Sequence, residues 1–243
     1  MYFDQQEFDI RCEWGEHGVA VLAPISDVVI IVDVLSFSTC VEIAVHRGAM
    51  VFPFPWQEES AAKFAASVHA ELAAPKRTKG KSSLSPESLM QISPGTRIVL
   101  PSPNGATLTL KEKPTPVLAG CLRNAGAVAL TAMQYGTKIA LIPAGERWKD
   151  DHSLRPSFED FIGAGAIISR LTGKRSPEAV SAVAAFQKVK PMLHEYLHQC
   201  GSGKELIERG FAGDVDLASQ LDTSDTVPIF IGDAFVRVTE RDP

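Results

Sequence analysis

Asp33 closes an unbroken apolar run, Val28-Val29-Ile30-Ile31-Val32, and Ser36, Ser38 and Thr39 follow within six residues. A carboxylate can hold a cation, and a helix start rich in hydroxyls can bind an anion. The pair suggests a metal-assisted reaction on a phosphorylated small molecule. Three further segments carry similar chemistry. Ser102-Pro103-Asn104-Gly105 can turn sharply and expose backbone N–H groups. Gly120-Cys121-Leu122-Arg123-Asn124 offers a guanidinium and an amide. Gly145-Glu146-Arg147 leads toward Ser157-Phe158-Glu159-Asp160, where Ser157 fits an N-cap and Asp160 a capping-box partner.

Each of these segments follows an apolar run short enough for a strand. The β-branched run before Asp33 suits a strand covered on both faces, and open α/β sheets place their chemistry past the carboxyl ends of such strands. Strands are predicted near Phe8 to Trp14, Asp27 to Val34, Met50 to Pro53, Arg97 to Leu100, Pro116 to Ala119, Lys138 to Ile142 and Pro228 to Ile231. Helical periods run near Phe37 to His46, Glu58 to Ala73, Arg123 to Tyr135, Phe158 to Leu171, Pro177 to Gln187, Met192 to Gln199, Gly203 to Arg209 and Val215 to Leu221. This alternation predicts an α/β protein: three αβα layers, a largely parallel or mixed central sheet, and a helical C-terminal half. It reads as a single unit over 1–243, with 1–157 and 158–243 as conceivable subdomains.

The chain has 243 residues, 45% hydrophobic and 22% charged, ordinary for a globular protein. A formal charge of −5 argues against nucleic acid as a partner. The one dense basic run, Lys76 to Lys81, falls in a loop-like stretch and could reach an anionic substrate. No apolar stretch approaches a membrane span, and the N-terminus lacks the pattern of a secretion signal, so a cytoplasmic location is expected. Four scattered cysteines suggest reduced, mostly buried thiols.

Several familiar motifs fail. Leu35 stands where a haloacid-dehalogenase-type phosphatase needs its second Asp, and His46 where a Cys-based phosphatase starting at Cys40 needs its Arg. Gly80-Lys81-Ser82 lacks the earlier glycine of a P-loop, because that place holds Pro75. His194-Glu195-Tyr196-Leu197-His198 matches the HExxH zinc pattern. Its third ligand is missing at Lys204, and two ligands do not make a catalytic zinc site. An amphipathic surface helix accounts for the same residues.

The ordered set resembles the ComB family of magnesium-dependent 2-phosphosulfolactate phosphatases. That family's Asp-Val-Leu-Arg-Ala-Ser/Thr-Thr is similar to Asp33-Val34-Leu35-Ser36-Phe37-Ser38-Thr39. Its Thr/Ser-x-Asn-Gly-Thr turn resembles Ser102 to Ala106, and its Gly-Ser-Phe-x-Asn-Ala segment resembles Gly120 to Ala125. Its Ala-Gly loop, Ser-Leu-Glu-Asp and Ala-Gly-Ala-Ile are similar to Ala144-Gly145, Ser157 to Asp160 and Ala164 to Ile167, and its closing Asp and Val-Pro strand to Asp225 to Pro228. The resemblance implies hydrolysis of a small anionic phosphorylated acid, with Mg²⁺ held by Asp33, Glu159 and Asp160 and water oriented by Glu146 or a metal-site carboxylate. Candidate phosphate or substrate contacts are Ser36, Ser38, Thr39, Asn104, Gly105, Arg123, Asn124, Gly145 and Arg147. A homodimer is admissible.

Two departures stand out. The family's Arg is Ser36 here, and its cysteines in two segments are Pro143 and Gly163. A hydroxyl cannot replace a guanidinium's charge, so Arg123, Arg147 or Arg155 would have to supply it. Three other readings stay open. Asp33, Glu159, Asp160 and Asn124 could be plain helix caps or dipole partners. The chain could be a diverged, non-catalytic metabolite binder. It could also be a zinc hydrolase using His194, Glu195 and His198.

Overall fold

The computed structural model describes residues 2–55, 58–78, 80–111 and 115–238, the side chains of 58 and 59 aside. Along the chain lie β1 (Ile10–Cys12), α1 (Gly15–Leu22), β2 (Val28–Val32), α2 (Phe37–His46), β3 (Met50–Phe54), α3 (Glu58–Ser67) and β4 (Glu71–Leu72). Next come α4 (Pro86–Leu89), β5 (Arg97–Pro101), α5 (Gly105–Thr109), β6 (Val117–Gly120), α6 (Ala125–Tyr135) and β7 (Ile139–Pro143). A short pair, β8 (Glu146–Arg147) and β9 (Leu154–Arg155), precedes α7 (Phe158–Ile168), α8 (Pro177–Val189), α9 (Leu193–Gln199), α10 (Gly201–Glu208) and α11 (Ala212–Ala218). The hairpin β10 (Pro228–Ile231) and β11 (Ala234–Arg237) comes last.

Alternation within the strands builds the layers. Val28, Ile30 and Val32 of β2 enter one apolar cluster, with Leu118 of β6 and Ile139 and Leu141 of β7. Val29 and Ile31 enter a second, with Val117, Ala119, Ala140 and Ile142. The period of two sends successive side chains to opposite faces. Helices α6 to α11 contribute to the first cluster, and α1, α2, α4 and α5 to the second. Truncating a side chain such as Ile31, 1% exposed, is expected to cost about 2–5 kcal/mol.

The nine-stranded sheet runs β1-β7-β2-β6-β10-β11-β3-β5-β4. Its two flanks are parallel, and the β10–β11 hairpin joins them through three antiparallel pairings. The expected mixed α/β sheet is therefore present, and residues past 158 share a core with β2 and β7.

Element boundaries differ from expectation where local chemistry intervenes. The predicted helix to Ala73 stops at Ser67, because His69 takes a left-handed φ of 52° and the chain turns into β4. The strand β11 escapes a periodicity scan that ends at Ile231, although Gly232-Asp233 between two apolar runs is a hairpin signal. No helix among the described residues is long and apolar enough to cross a membrane. All four cysteines are buried and unbridged, as expected of reduced thiols.

Candidate active site

Asp33 lies just past β2 and is 5% exposed. Its Oδ1 accepts the N–H of Phe37, the first residue of α2, at 3.1 Å, and its Oδ2 accepts the N–H of Gly105 at 2.9 Å. One oxygen thus acts at the start of α2 while the other ties in the turn after β5. Strands β2 and β5 are five places apart in the sheet, yet the loop after β5 reaches Asp33. That approach requires glycine. A Cβ at position 105 would lie 2.3 Å from Phe37 Cδ1 and 2.9 Å from Asp33 Oδ2.

Glu146, in β8, joins the same site. Asn104 Nδ2 donates to its Oε2 at 3.1 Å. Burial, and then the charge of Asp33, push its carboxyl up to about 7; Asn104 and Arg155 oppose the rise. Burial likewise raises Asp33 to about 6, with Glu159 adding to the rise and the N–H groups of Gly105 and Phe37 opposing it. Glu159, 2% exposed in the first turn of α7, is close enough that its charge also acts on Glu146, Asp160 and Cys200.

Asp160 ties these elements together. Its Oδ1 accepts the N–H of Val34 at 2.7 Å, and its Oδ2 accepts Gly145 N–H at 2.9 Å and the Ser157 hydroxyl at 2.6 Å. Ser157 holds the N-cap position, but its hydroxyl donates to Asp160 rather than accepting from the helix. Gly145 needs its left-handed φ of 72° to turn its N–H this way, and its Cβ would meet Leu154 at 2.7 Å. Burial first, and then the charges of Asp33 and Glu159, raise the Asp160 carboxyl well above the ordinary range.

Among the described residues, none of these four carboxylates forms an ion pair. Clustered buried carboxylates are costly when ionised without a cation. An all-oxygen donor set of this kind fits a hard divalent ion. It is not a tight three-ligand knot. Among the described residues, only His194, His198 and Asp216 bring three candidate ligand atoms within 4.8 Å of one another. Magnesium keeps several waters and takes only one or two carboxylates, so the looser set suits it.

A cleft of about 180 Å³ opens beside the carboxylates, and Asp33, Ser36, Arg77, Asn104, Glu146 and Arg209 all line it. A larger cavity of about 450 Å³ adjoins it through Pro103 and Asn104. Beside Ser36 stands Arg77, whose Nη2 donates to the Ser36 hydroxyl at 3.0 Å. Arg77 is anchored by an ion pair with Asp214, which is fully buried. Asp214 also accepts the Ser85 hydroxyl at 2.7 Å and the Glu87 N–H at 3.0 Å. Arg209 and Asp214 carried no sequence signal. Arg77 carried only its place in the basic run, whose Lys79 lies outside the described residues.

Other predicted contacts are engaged elsewhere. The Ser38 hydroxyl donates to Ile31 O at 3.1 Å and accepts Asp33 N–H at 3.0 Å. The Thr39 hydroxyl donates to Val34 O at 2.8 Å, and both residues are fully buried. Asn124 donates to Ala119 O and Thr226 O and accepts Cys121 N–H, bonds that tie the loops around it together. Arg123 pairs with buried Glu42 at 2.6 Å and with Gln220. Arg147 pairs with Glu16 and bonds His152 O at the rim of the larger cavity. Arg123 and Arg147, expected to replace the missing guanidinium, are each paired with a carboxylate, as Arg77 is, but unlike Arg77 neither lines the cleft beside Asp33. Arg155 pairs with Glu146 in the β8–β9 register, and its Nη2 lies 3.5 Å from Ser202 Oγ.

The family model described as 2-phosphosulpholactate phosphatase matches residues 20–233. A protein of Carboxydothermus hydrogenoformans named "Probable 2-phosphosulfolactate phosphatase" is 30% identical over 212 residues, 82% of this chain and 84% of that one. The "2-phosphosulfolactate phosphatase" of Methanothermobacter thermautotrophicus is 29% identical over 136 residues, 56% of this chain and 57% of its own. A Gloeobacter violaceus protein named "Probable 2-phosphosulfolactate phosphatase" is 30% identical over 135 residues, 55% of each chain. A match reaching from α1 to the turn of the last hairpin takes in every strand end that builds the cleft, and on it this chain belongs to the 2-phosphosulpholactate phosphatase family.

Proposed function

We propose that this protein hydrolyses the phosphomonoester of a small acid that bears a second anionic group, with magnesium as cofactor. The first candidate substrate is 2-phosphosulfolactate, the compound in the names of its relatives. The observation that carries the reading is the meeting of the buried Asp33, Glu159 and Asp160 carboxylates, which form no ion pair among the described residues, with a cleft lined by Arg77 and Arg209.

Asp33 and Glu159 would hold the ion, while Asp160 positions the backbone of Val34 and Gly145 around them. Bound magnesium would neutralise charge on the transferring phosphoryl oxygens. Every other contribution is the chain's own. Arg77 and Arg209 bind and orient the anionic ends of the substrate, a task suited to planar guanidinium groups. Asn104 fixes the Glu146 carboxylate. Glu146 takes a proton from the attacking water, and burial, which raises its carboxyl above the ordinary range, makes it a stronger base for that role. Water adds to phosphorus, the ester P–O bond breaks, and the leaving alkoxide takes up the proton that Glu146 removed from water, giving the hydroxy acid and inorganic phosphate and restoring the carboxylate.

The test is phosphate release from a panel of small phosphomonoesters, including 2-phosphosulfolactate, with Mg²⁺ and with chelator. Magnesium-dependent release confined to substrates with a second anionic group is expected. Tight ligand binding without release from any ester would replace this reading with that of a non-catalytic binder, the alternative that Ser36 raises.

A further inference from the structure

The geometry points to a second metal site, unrelated to the acidic cleft, in which His194, His198 and Asp216 hold a borderline divalent ion of the zinc class. The two histidines lie four apart on α9, so they share one face, and their rings stack with centroids 4.2 Å apart. Asp216 comes from α11, which packs on α9. Its Oδ1 lies 2.9 Å from His194 Nε2 and 2.8 Å from His198 Nε2. Three ligand atoms on two helices thus converge at one point. In a tetrahedral zinc site with bonds of about 2.0–2.1 Å, ligand atoms stand about 3.3 Å apart. Side-chain shifts of roughly half an ångström would admit the ion. The third ligand that the HExxH pattern lacks at Lys204 is therefore supplied 12 residues later, by Asp216.

Ligand chemistry separates this site from the cleft. Two imidazoles and one carboxylate select zinc, cobalt, nickel or copper over magnesium. The His194 and Asp216 side chains are 63% and 53% exposed, an open setting that suits a structural or regulatory ion better than a water-excluding hydrolytic centre. Glu195, the base in a zinc-hydrolase reading, accepts a hydrogen bond from Gln199 at 3.1 Å instead. A bound ion would clamp α9 to α11 two residues beyond Asp214, the anchor of Arg77.

The experiment is zinc titration of the tag-free full-length protein against a chromophoric chelator, with melting temperature and the visible spectrum of the Co²⁺ form as second readouts. The expected result is one zinc per chain with low-micromolar or tighter affinity, undiminished by millimolar Mg²⁺. A rise in melting temperature of roughly 5–10 °C is expected at a hundred-fold excess over Kd. His194→Ala, His198→Ala and Asp216→Asn should each weaken zinc binding at least ten-fold and remove the Co²⁺ band. Binding weaker than about 100 µM overturns the inference, as does zinc binding that all three variants retain. These readouts do not depend on phosphate release, so they stand or fall apart from the proposed reaction.

Discussion

Arg77 places its Nη2 3.0 Å from the hydroxyl of Ser36, two side chains 41 residues apart. The positive charge in the cleft is thereby delivered from the segment between β4 and α4 rather than from the start of α2. Arg77→Ala should raise KM for the anionic substrate about 10- to 100-fold, the worth of one or two charge-assisted hydrogen bonds. Removing it also leaves Asp214 buried without its partner, which costs about 3–5 kcal/mol. Adding Ser36→Arg to Arg77→Ala should recover part of the KM and little of the stability. Steady-state kinetics and thermal melts on the two variants check both halves.

Glu146→Gln should lower kcat by about 10²–10⁴-fold with a small change in KM, as loss of a proton acceptor does. The wild-type rate should rise with pH on a limb set by the Glu146 carboxyl, below its metal-free value of about 7, because bound Mg²⁺ offsets the Asp33 and Glu159 charges that help raise it. That limb should vanish in the variant. A pH–rate profile that keeps it would assign the limb to another group.

Glu159→Gln separates metal binding from folding. The Glu159 carboxylate forms no ion pair among the described residues, so a neutral isostere should leave the metal-free melting temperature unchanged or raise it. The upward shift produced by Mg²⁺ should be lost. Asp33→Asn should also abolish turnover, but it is a poorer probe. The sequence alone predicts an unchanged melting temperature, whereas both Asp33 oxygens accept N–H groups and an amide offers only one acceptor.

Metal-free stability should fall as pH rises from about 4 to about 7. Asp33 and Glu146 bind their protons more tightly in the folded chain, at about 6 and about 7 against ordinary values of 3.8 and 4.5. Their contribution is complete below the ordinary values and disappears as pH climbs through the raised ones. For Glu146 it amounts to about 1–3 kcal/mol. Melting curves across this range should show a shallower decline for Glu146→Gln. A steeper decline in the variant would contradict the assignment. Saturating Mg²⁺ should stabilise the protein above pH 7 and lose that effect as pH falls.

Much of this arrangement is legible from residue patterns. The β2 run and the strands before Ser102, Gly120 and Pro143 declare themselves because burial on both faces demands continuous apolar side chains. Asp33, Asn104, Glu146, Glu159 and Asp160 follow from their places at strand and helix ends. The hydroxyls of Ser38 and Thr39 close onto backbone carbonyls, and nothing in a sequence distinguishes such a side chain from one that faces a ligand. Arg77, Arg209 and Asp214 are hidden for the opposite reason. Their roles arise from contacts spanning many residues between a loop and the late helices, which leave no local period.

The most direct measurement is a crystal structure of the protein soaked with Mn²⁺, as an anomalous stand-in for Mg²⁺, and inorganic phosphate. The account predicts an anomalous peak about 2.1–2.3 Å from carboxylate oxygens of Asp33 and Glu159, with phosphate between that ion and Arg77. Phosphate bound with no metal among Asp33, Glu146 and Glu159, or metal only at His194, His198 and Asp216, would contradict it.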